Sequence, residues 1–447
     1  ERQFGLKVTL NMVPRGRLRT LDLATPDAVT FQKRVQASKD SDLQEFGVDM
    51  LRDLARVAGG TPTNATFARF VAGKDSLSIT CDVDAGTLQT KCAEIVAAYG
   101  KHDYRKEFSW VDNMKQVVER DLIENLDGRL FSALQALRDG EESDLHMAPP
   151  EIVNYTEGSQ LHYNGFGSHG TSFYSLSIDG YVSELERCQF EGDIADIKER
   201  HRIKAKGDGE EEFSEKWRVY DCFVFETSIG TGKNATHYVM FAGNWFLIEK
   251  NFKKRIDDFF DAIDKVVVIG ATACRNEEDL IKDLVANRPD LLKLDEEKIN
   301  PGGVRYANLE PCDFFSDDKK FIHLKDGHSS GPISHLWSQG VVSAEAFVSD
   351  AEFRKKLRAK VRSLGGGFEV HLPKSTDKVV REDYGVIYGI MRKPYADGSL
   401  GLPFFSKVSL QAAAERLAQF GIPLAIELIE KPAADAADEP SEEAEAA

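Results

Sequence analysis

Between Glu277 and Ile429 the apolar residues switch repeatedly between helical and extended periods. A helix over Glu277–Ala286 is followed by "VRYANLE", a turn at "SDDKK" and the alternating run "KFIHLK". A helix through "ISHLWSQGVVSAEAF" comes next, then a basic helix, a Gly365–Gly367 loop and the extended runs "FEVHL" and "YGVIYGIM". The closing "LQAAAERLAQFGIPLAIELI" reads as helix then strand. Such an order buries its apolar faces only when helices cover a sheet, so an α/β domain is predicted over 266–430.

The rest of the chain exceeds what this one core can serve, and a multi-domain, mixed α+β protein is expected. From Phe4 to Arg138, extended runs ("GLKVTLNMV", "SLSITCDV") alternate with helical ones ("DLQEFGVDMLRDLARVAG", "TLQTKCAEIVAAYG", "FSALQALRD"), predicting an N-terminal α/β domain over 1–145. The acids and Pro pair of "DGEESDLHMAPPEI" break periodicity and read as a linker. A β-rich middle domain over 146–265 is expected from aromatic and β-branched runs such as "RVYDCFVFETSI" and "HYVMFAGNWFLIEK", which read as a hairpin. Between these, "GTGKN" lacks the first glycine and the Ser/Thr of a phosphate-binding loop, with Thr227 and Asn234 in those places, and reads as a turn. The acidic segment 431–447 has almost no large apolar side chain and is expected to be disordered.

A net charge of −17 excludes a surface that binds polyanions everywhere, so any nucleic-acid contact must be local. Six dispersed cysteines without a CxxC pair argue against a disulfide framework or zinc ribbon. No apolar run is long enough to span a bilayer and no signal-peptide pattern opens the chain, so a cytoplasmic protein without membrane contact is expected. The absence of Met at Glu1 leads to the expectation of a missing N-terminal region.

The chemistry concentrates in "EPCDFFSDDKKFIHLKDGHSSGPISHLWSQG". Asp313 precedes a turn, and His323 and Lys325 stand two apart on one strand face, so a hairpin brings an acid, an imidazole and an amine together. A divalent cation such as Mg²⁺ or Mn²⁺ on Asp313 and His323, with Lys325 orienting water, is the set that phosphodiester hydrolysis needs, because its transition state is anionic. The loop "DGHSSG" with His328, and His335 on the next helix, add polar groups that suit a phosphate. The basic helix "FRKKLRAKVR" offers Arg354, Lys355, Arg358 and Arg362 as a local nucleic-acid-binding stripe. The plain alternatives are that a lone strand histidine is packed in a core and that a lysine-rich helix is a solvated face.

This order of acid, hairpin, lysine and flanking helices resembles the PD-(D/E)xK nuclease superfamily over Glu277 to Ile429. The resemblance implies Asp313 as metal-binding acid, Lys325 as catalytic lysine, Glu277 or Glu278 as the acid on the preceding helix and Gln339 as the polar residue on the following one. His323 departs from the expected Glu or Asp, and Glu310 or Asp318 is then the substitute carboxylate. His323-Leu324-Lys325 is also similar to the H-x-K opening of the phospholipase D superfamily, although Ser330 replaces its aspartate. The phrases "FGLKVTLN", "FSWVDNM", "CDFFSDDKKFIHLK", "SHLWSQGVVSAEAFVSDAEFRKKL" and "LPFFSKVSL" together resemble a bacterial family labelled "sporadically distributed protein". That resemblance implies a mobile-element or phage-defence setting. The expected function is a metal-dependent nuclease; the alternatives are a non-enzymatic nucleic-acid- or protein-binding module and a metal-independent phosphodiesterase.

Overall fold

The computed structural model describes residues 3–25, 31–40, 48, 53–153, 159–166, 172–207, 212–230, 235–302, 309–327, 330–395 and 398–432. The fold is mixed α+β. The chain divides into two compact units, Glu1–Arg255 and Ile256–Ala447, at a point inside the helix Lys250–Ala262. No described helix is long and apolar enough to cross a membrane.

Among the described residues, the first unit holds three antiparallel sheets. One runs in the order Phe31–Gln36, Leu18–Thr25, Leu54–Gly60, Phe70–Gly73, Leu77–Thr80. A second joins Met114–Gln116 to Asn244–Ile248, Thr236–Phe241, Phe223–Ile229 and His146–Met147, so its strands come from both sides of the expected 145/146 boundary. The third is built on Arg202–Gly207 and Ser159–Asn164. Asp127, 3% exposed, ties the second sheet to a helix by accepting from Tyr220 Oη (2.6 Å), Trp245 Nε1 (2.9 Å) and Lys198 Nζ (2.7 Å).

Three expected elements differ. "GLKVTLNMV" is the helix Phe4–Met12, because Leu6, Thr9 and Leu10 also fit a helical stripe and all three are buried. Within "DLQEFGVDMLRDLARVAG", Leu54–Gly60 is a central strand whose burial on both faces mimics a helical run, while most of the preceding residues lie outside the described set. "FEVHL" forms a single 3-10 turn, Phe368–His371, after three glycines at positive φ. Most of "VRYANLE" and of "GTGKN" lies outside the described residues.

Among its described residues, the second unit is one six-stranded sheet between helices. Its elements are β1 (Asp264–Lys265), α1 (Glu277–Asn287), β2 (Leu291–Lys293), β3 (Phe314–Ser316), β4 (Lys320–Asp326), α2 (Ser330–Ser349), α3 (Ala351–Leu364), β5 (Gly385–Arg392), α4 (Phe404–Phe420) and β6 (Leu424–Glu430). The order is β1-β6-β5-β4-β3-β2; β4, β5, β6 and β1 are parallel, and β2 and β3 extend β4 as an antiparallel meander. Every residue of β5 is buried, as a central strand covered on both faces requires. Alternation along β4 sends Phe321 into the core formed with α2, α3 and α4, and Ile322 and Leu324 into the core formed with Leu280, Ile281 and Leu284 of α1. Where α2 crosses β5, a side chain at Gly340 would collide with the Tyr388 ring, so glycine is required there. Lys431, expected in a disordered tail, is 2% exposed: it follows β6 with its N–H on Arg392 O at the end of β5 (2.9 Å), and its side chain reaches across to Asp326 at the end of β4 (Nζ–Oδ1, 2.7 Å).

Candidate metal centre

Asp313 stands just before β3, at the end of that strand away from the β3–β4 turn and opposite Ile322–Leu324 of β4. Its N–H donates to Ile322 O (3.0 Å), and its Oδ2 accepts the Leu324 N–H (2.6 Å), so backbone pairing fixes the carboxylate against β4. Its own carbonyl accepts from Leu294 N (2.7 Å) and Asp295 N (3.0 Å), drawing Asp295 to its side. Glu310 Oε1 accepts the Glu296 N–H (2.8 Å), where Glu296 takes a left-handed φ of 64°. These bonds fold 294–299 back on 309–313 and gather Asp295, Glu310 and Asp313, whose carboxylate oxygens lie within 4.8 Å of one another.

The grouping is electrostatically unfavourable without a cation. Desolvation, with the charges of Glu310, Glu277 and Asp295, pushes the Asp313 carboxyl up to about 7, against the Leu324 N–H that lowers it. Burial and Asp295 likewise raise Glu310, opposed by the Glu296 N–H and by Lys325 and Lys298. Lys293 Nζ pairs with Asp295 Oδ2 at 3.1 Å and offsets part of this charge. Three half-buried carboxylates form a hard oxygen donor set that suits Mg²⁺ or Mn²⁺.

Lys325 is the next-to-last residue of β4, and its ammonium meets Glu277 Oε1 at 2.9 Å; Glu277 Oε2 accepts the Asp326 N–H at 3.1 Å. Glu277 occupies the first position of α1 after the Asn276 cap, which points its carboxylate toward the end of β4. Glu278, one residue on, is exposed and pairs with Lys282 instead (2.7 Å).

His323 does not join the acids. It is 2% exposed under α2, with Nε2 3.4 Å from Ser343 Oγ and its ring 5.9 Å from that of Tyr388. Burial pushes its imidazole down to about 3, so it is neutral and sealed. The expectation that it ligates metal or attacks phosphorus is therefore corrected: α2 covers the face of β4 from which the side chain leaves. His335 is exposed and Gln339 half-buried on α2, and neither bonds to the acids; Asp318 is exposed in the β3–β4 turn; His328 lies outside the described residues.

Of the basic residues expected to form a stripe on α3, Arg354 and Arg358 are tied to carbonyls, while Lys355 and Arg362 stay largely exposed. Arg354 is 8% exposed and donates to Phe347 O (2.9 Å) and Val348 O (3.0 Å), closing the end of α2. Arg358 donates to Glu369 O and Leu372 O, Arg362 lies 3.8 Å from Glu369, and Lys355 lies 3.7 Å from Glu352. Lys356 and Lys360, which sequence reasoning did not single out, reach Asn300 O (2.8 Å) and Glu297 (2.5 Å) and hold down the loop that carries Asp295. Asp295 was itself missed; the acidic run Asp295–Glu297 before "NPGG" was its one visible signal.

A family model described as a family of unknown function (DUF6119) matches residues 1–430. The chain belongs to that family. No curated protein and no solved structure matches it.

Proposed function

We propose that the second unit is a metal-dependent phosphodiesterase, and that the protein is a nuclease of PD-(D/E)xK-like design acting on DNA or RNA in a cytoplasmic, phage-defence or mobile-element setting of the "sporadically distributed" kind. One observation carries the reading: three carboxylates within 4.8 Å of one another, with an amine–carboxylate pair, Lys325–Glu277, inside their electrostatic field. Asp295, Glu310 and Asp313 would hold Mg²⁺ or Mn²⁺, with Glu310 in place of the carboxylate that His323 does not provide. The cation would supply charge neutralisation and a more acidic bound water. Lys325, released from Glu277, would orient the attacking water and stabilise the developing phosphorane charge, and Glu277 would hold the ammonium in reach meanwhile. The buried His323 weighs against a covalent phosphohistidine route, and the binding of Arg354 and Arg358 to carbonyls leaves fewer α3 cations for a module that binds through that helix.

The test incubates the full chain with plasmid DNA and total RNA in Mg²⁺, Mn²⁺ or chelator. Cleavage that needs the cation and disappears in Asp313→Asn and Lys325→Ala supports the reading. Failure to cut either polymer with any cation, or cutting by Asp313→Asn at the wild-type rate, overturns it.

A further inference from the structure

The cation proposed for Asp295, Glu310 and Asp313 has a rival within the chain. Lys293 ends β2, and its Nζ lies 3.1 Å from Asp295 Oδ2, so an ammonium already contacts one of the three carboxylates. Sheet register and main-chain bonding set this up. Lys293 stands opposite Phe314, the neighbour of Asp313, and the bonds from Leu294 N and Asp295 N to Asp313 O place the next acid beside both.

The pair is easily exchanged. Its side chains are 40% and 21% exposed, so solvent screens the attraction and little is lost when it opens. A doubly charged ion on Asp295 repels an ammonium at the same carboxylate, so metal binding and the Lys293–Asp295 contact oppose each other. Lys325 differs in this respect: its partner, Glu277, is not one of the clustered acids.

We infer that Lys293 is a counter-ion that the metal displaces from Asp295, and that its freed ammonium binds a phosphate of the polynucleotide next to the one being cut. The inference rests on the metal-dependent nuclease reading. β2 and β4 flank β3, so Lys293 and Lys325 stand on either side of the strand that follows Asp313, separated across the sheet by two strand spacings, ~10 Å. One polynucleotide strand can therefore touch both amines. Metal binding releases Lys293 where the polyanion arrives, and the polyanion, by holding Lys293, keeps it off Asp295. Each ligand thereby favours the other. Lys293 binds substrate in this scheme and takes no part in activating water.

The test measures Mn²⁺ binding by calorimetry and cleavage kinetics on the full chain, in wild type, Lys293→Met, Lys293→Arg and Asp313→Asn. Lys293 is half-exposed on the edge strand, so its variants should fold. Removing the ammonium should move two ligands in opposite directions: Lys293→Met should bind Mn²⁺ at least ~3-fold more tightly, while KM for the polynucleotide rises at least ~3-fold and kcat at saturating Mn²⁺ stays within ~2-fold. Lys293→Arg, which keeps the charge, should return both toward wild type. A residue that only stabilised the fold would not tighten metal binding. Unchanged or weaker Mn²⁺ binding in Lys293→Met, or an unchanged KM, overturns the inference, and the metal centre still stands if Asp313→Asn has lost the ion that wild type binds. No Mn²⁺ binding by wild type, or equal binding by Asp313→Asn, overturns the centre and this inference together.

Discussion

The Lys325 ammonium lies 2.9 Å from Glu277 Oε1 and links the end of β4 to the first turn of α1. The two side chains are 31% and 23% exposed, so solvent weakens the pair and its loss should cost little stability. Lys325→Met is expected to lower unfolding free energy by less than about 1 kcal/mol and to reduce cation-dependent cleavage by about 100-fold or more. Denaturant melts and initial rates on the same preparation check this. A large stability loss with unchanged rate would make Lys325 a structural residue only.

Asp313 gives the second unit an unusual pH response. An unfolded aspartate titrates near about 3.9, whereas the folded carboxyl is raised to about 7, so across that window the folded chain keeps a proton that the unfolded chain has lost. Unfolding free energy should therefore fall as pH rises from about 4 to about 7 through this group, then level off. Asp313→Asn should remove that component. At pH 8, Mn²⁺ should raise the melting temperature of the wild type by several degrees and leave Asp313→Asn unmoved, as scanning calorimetry would read directly.

His323 acts with the opposite sign. Its folded value of about 3 lies below the unfolded value near about 6.5, so its contribution is full above that pH and is lost as pH falls through the interval. His201, pushed down to about 4 by burial and bonded through Nδ1 to Tyr181 Oη (2.7 Å), adds a component of the same sign in the first unit. Between pH 7 and pH 4.5, His323→Leu should lose about 2–3 kcal/mol less stability than wild type in urea titrations. Its Mn²⁺ binding should be unchanged; abolished binding would return His323 to the metal site.

Glu427, 3% exposed on β6, accepts the N–H groups of Val268 (3.0 Å), Ile269 (2.9 Å) and Gly270 (2.6 Å). One carboxylate thereby replaces a missing strand for the segment after β1. Glu427→Gln substitutes a neutral amide that satisfies fewer of these donors, and should cost about 2–4 kcal/mol. Hydrogen exchange at residues 268–270 should accelerate more than at β5; uniform acceleration would contradict the local role.

The strands carrying the candidate site were legible because their patterns admit one answer. "KFIHLK" alternates, "YGVIYGIM" is apolar throughout, and a helix of matching length follows each, so β4, α2, β5, α4 and β6 fall where the periodicity puts them. "GLKVTLNMV" was ambiguous because its apolar residues satisfy both periods, and the cover that Phe4–Met12 gives the first sheet decided it. Asp313 and Lys325 could be nominated from residue type and order, and Glu277 and Glu310 from the resemblance to the PD-(D/E)xK pattern. Asp295 could not, because a fold-back held by main-chain bonds from Leu294, Asp295 and Glu296, not by any local pattern, brings it to Asp313.

The amino-acid order by itself determined that this chain builds layered sheets and helices and that an acid, an imidazole and an amine lie within one hairpin. Tertiary structure alone decided which of them meet. A strand's period of two states only that His323 and Lys325 leave the same side; the cover of α2 sealed the imidazole, while the open end of β4 let the longer lysine reach Glu277. The same holds for the arginines of α3, whose charge is visible in the sequence but whose partners are carbonyls presented by distant turns. Burial and partner geometry are properties of the packed layers, and they set which ionisable groups remain available for chemistry.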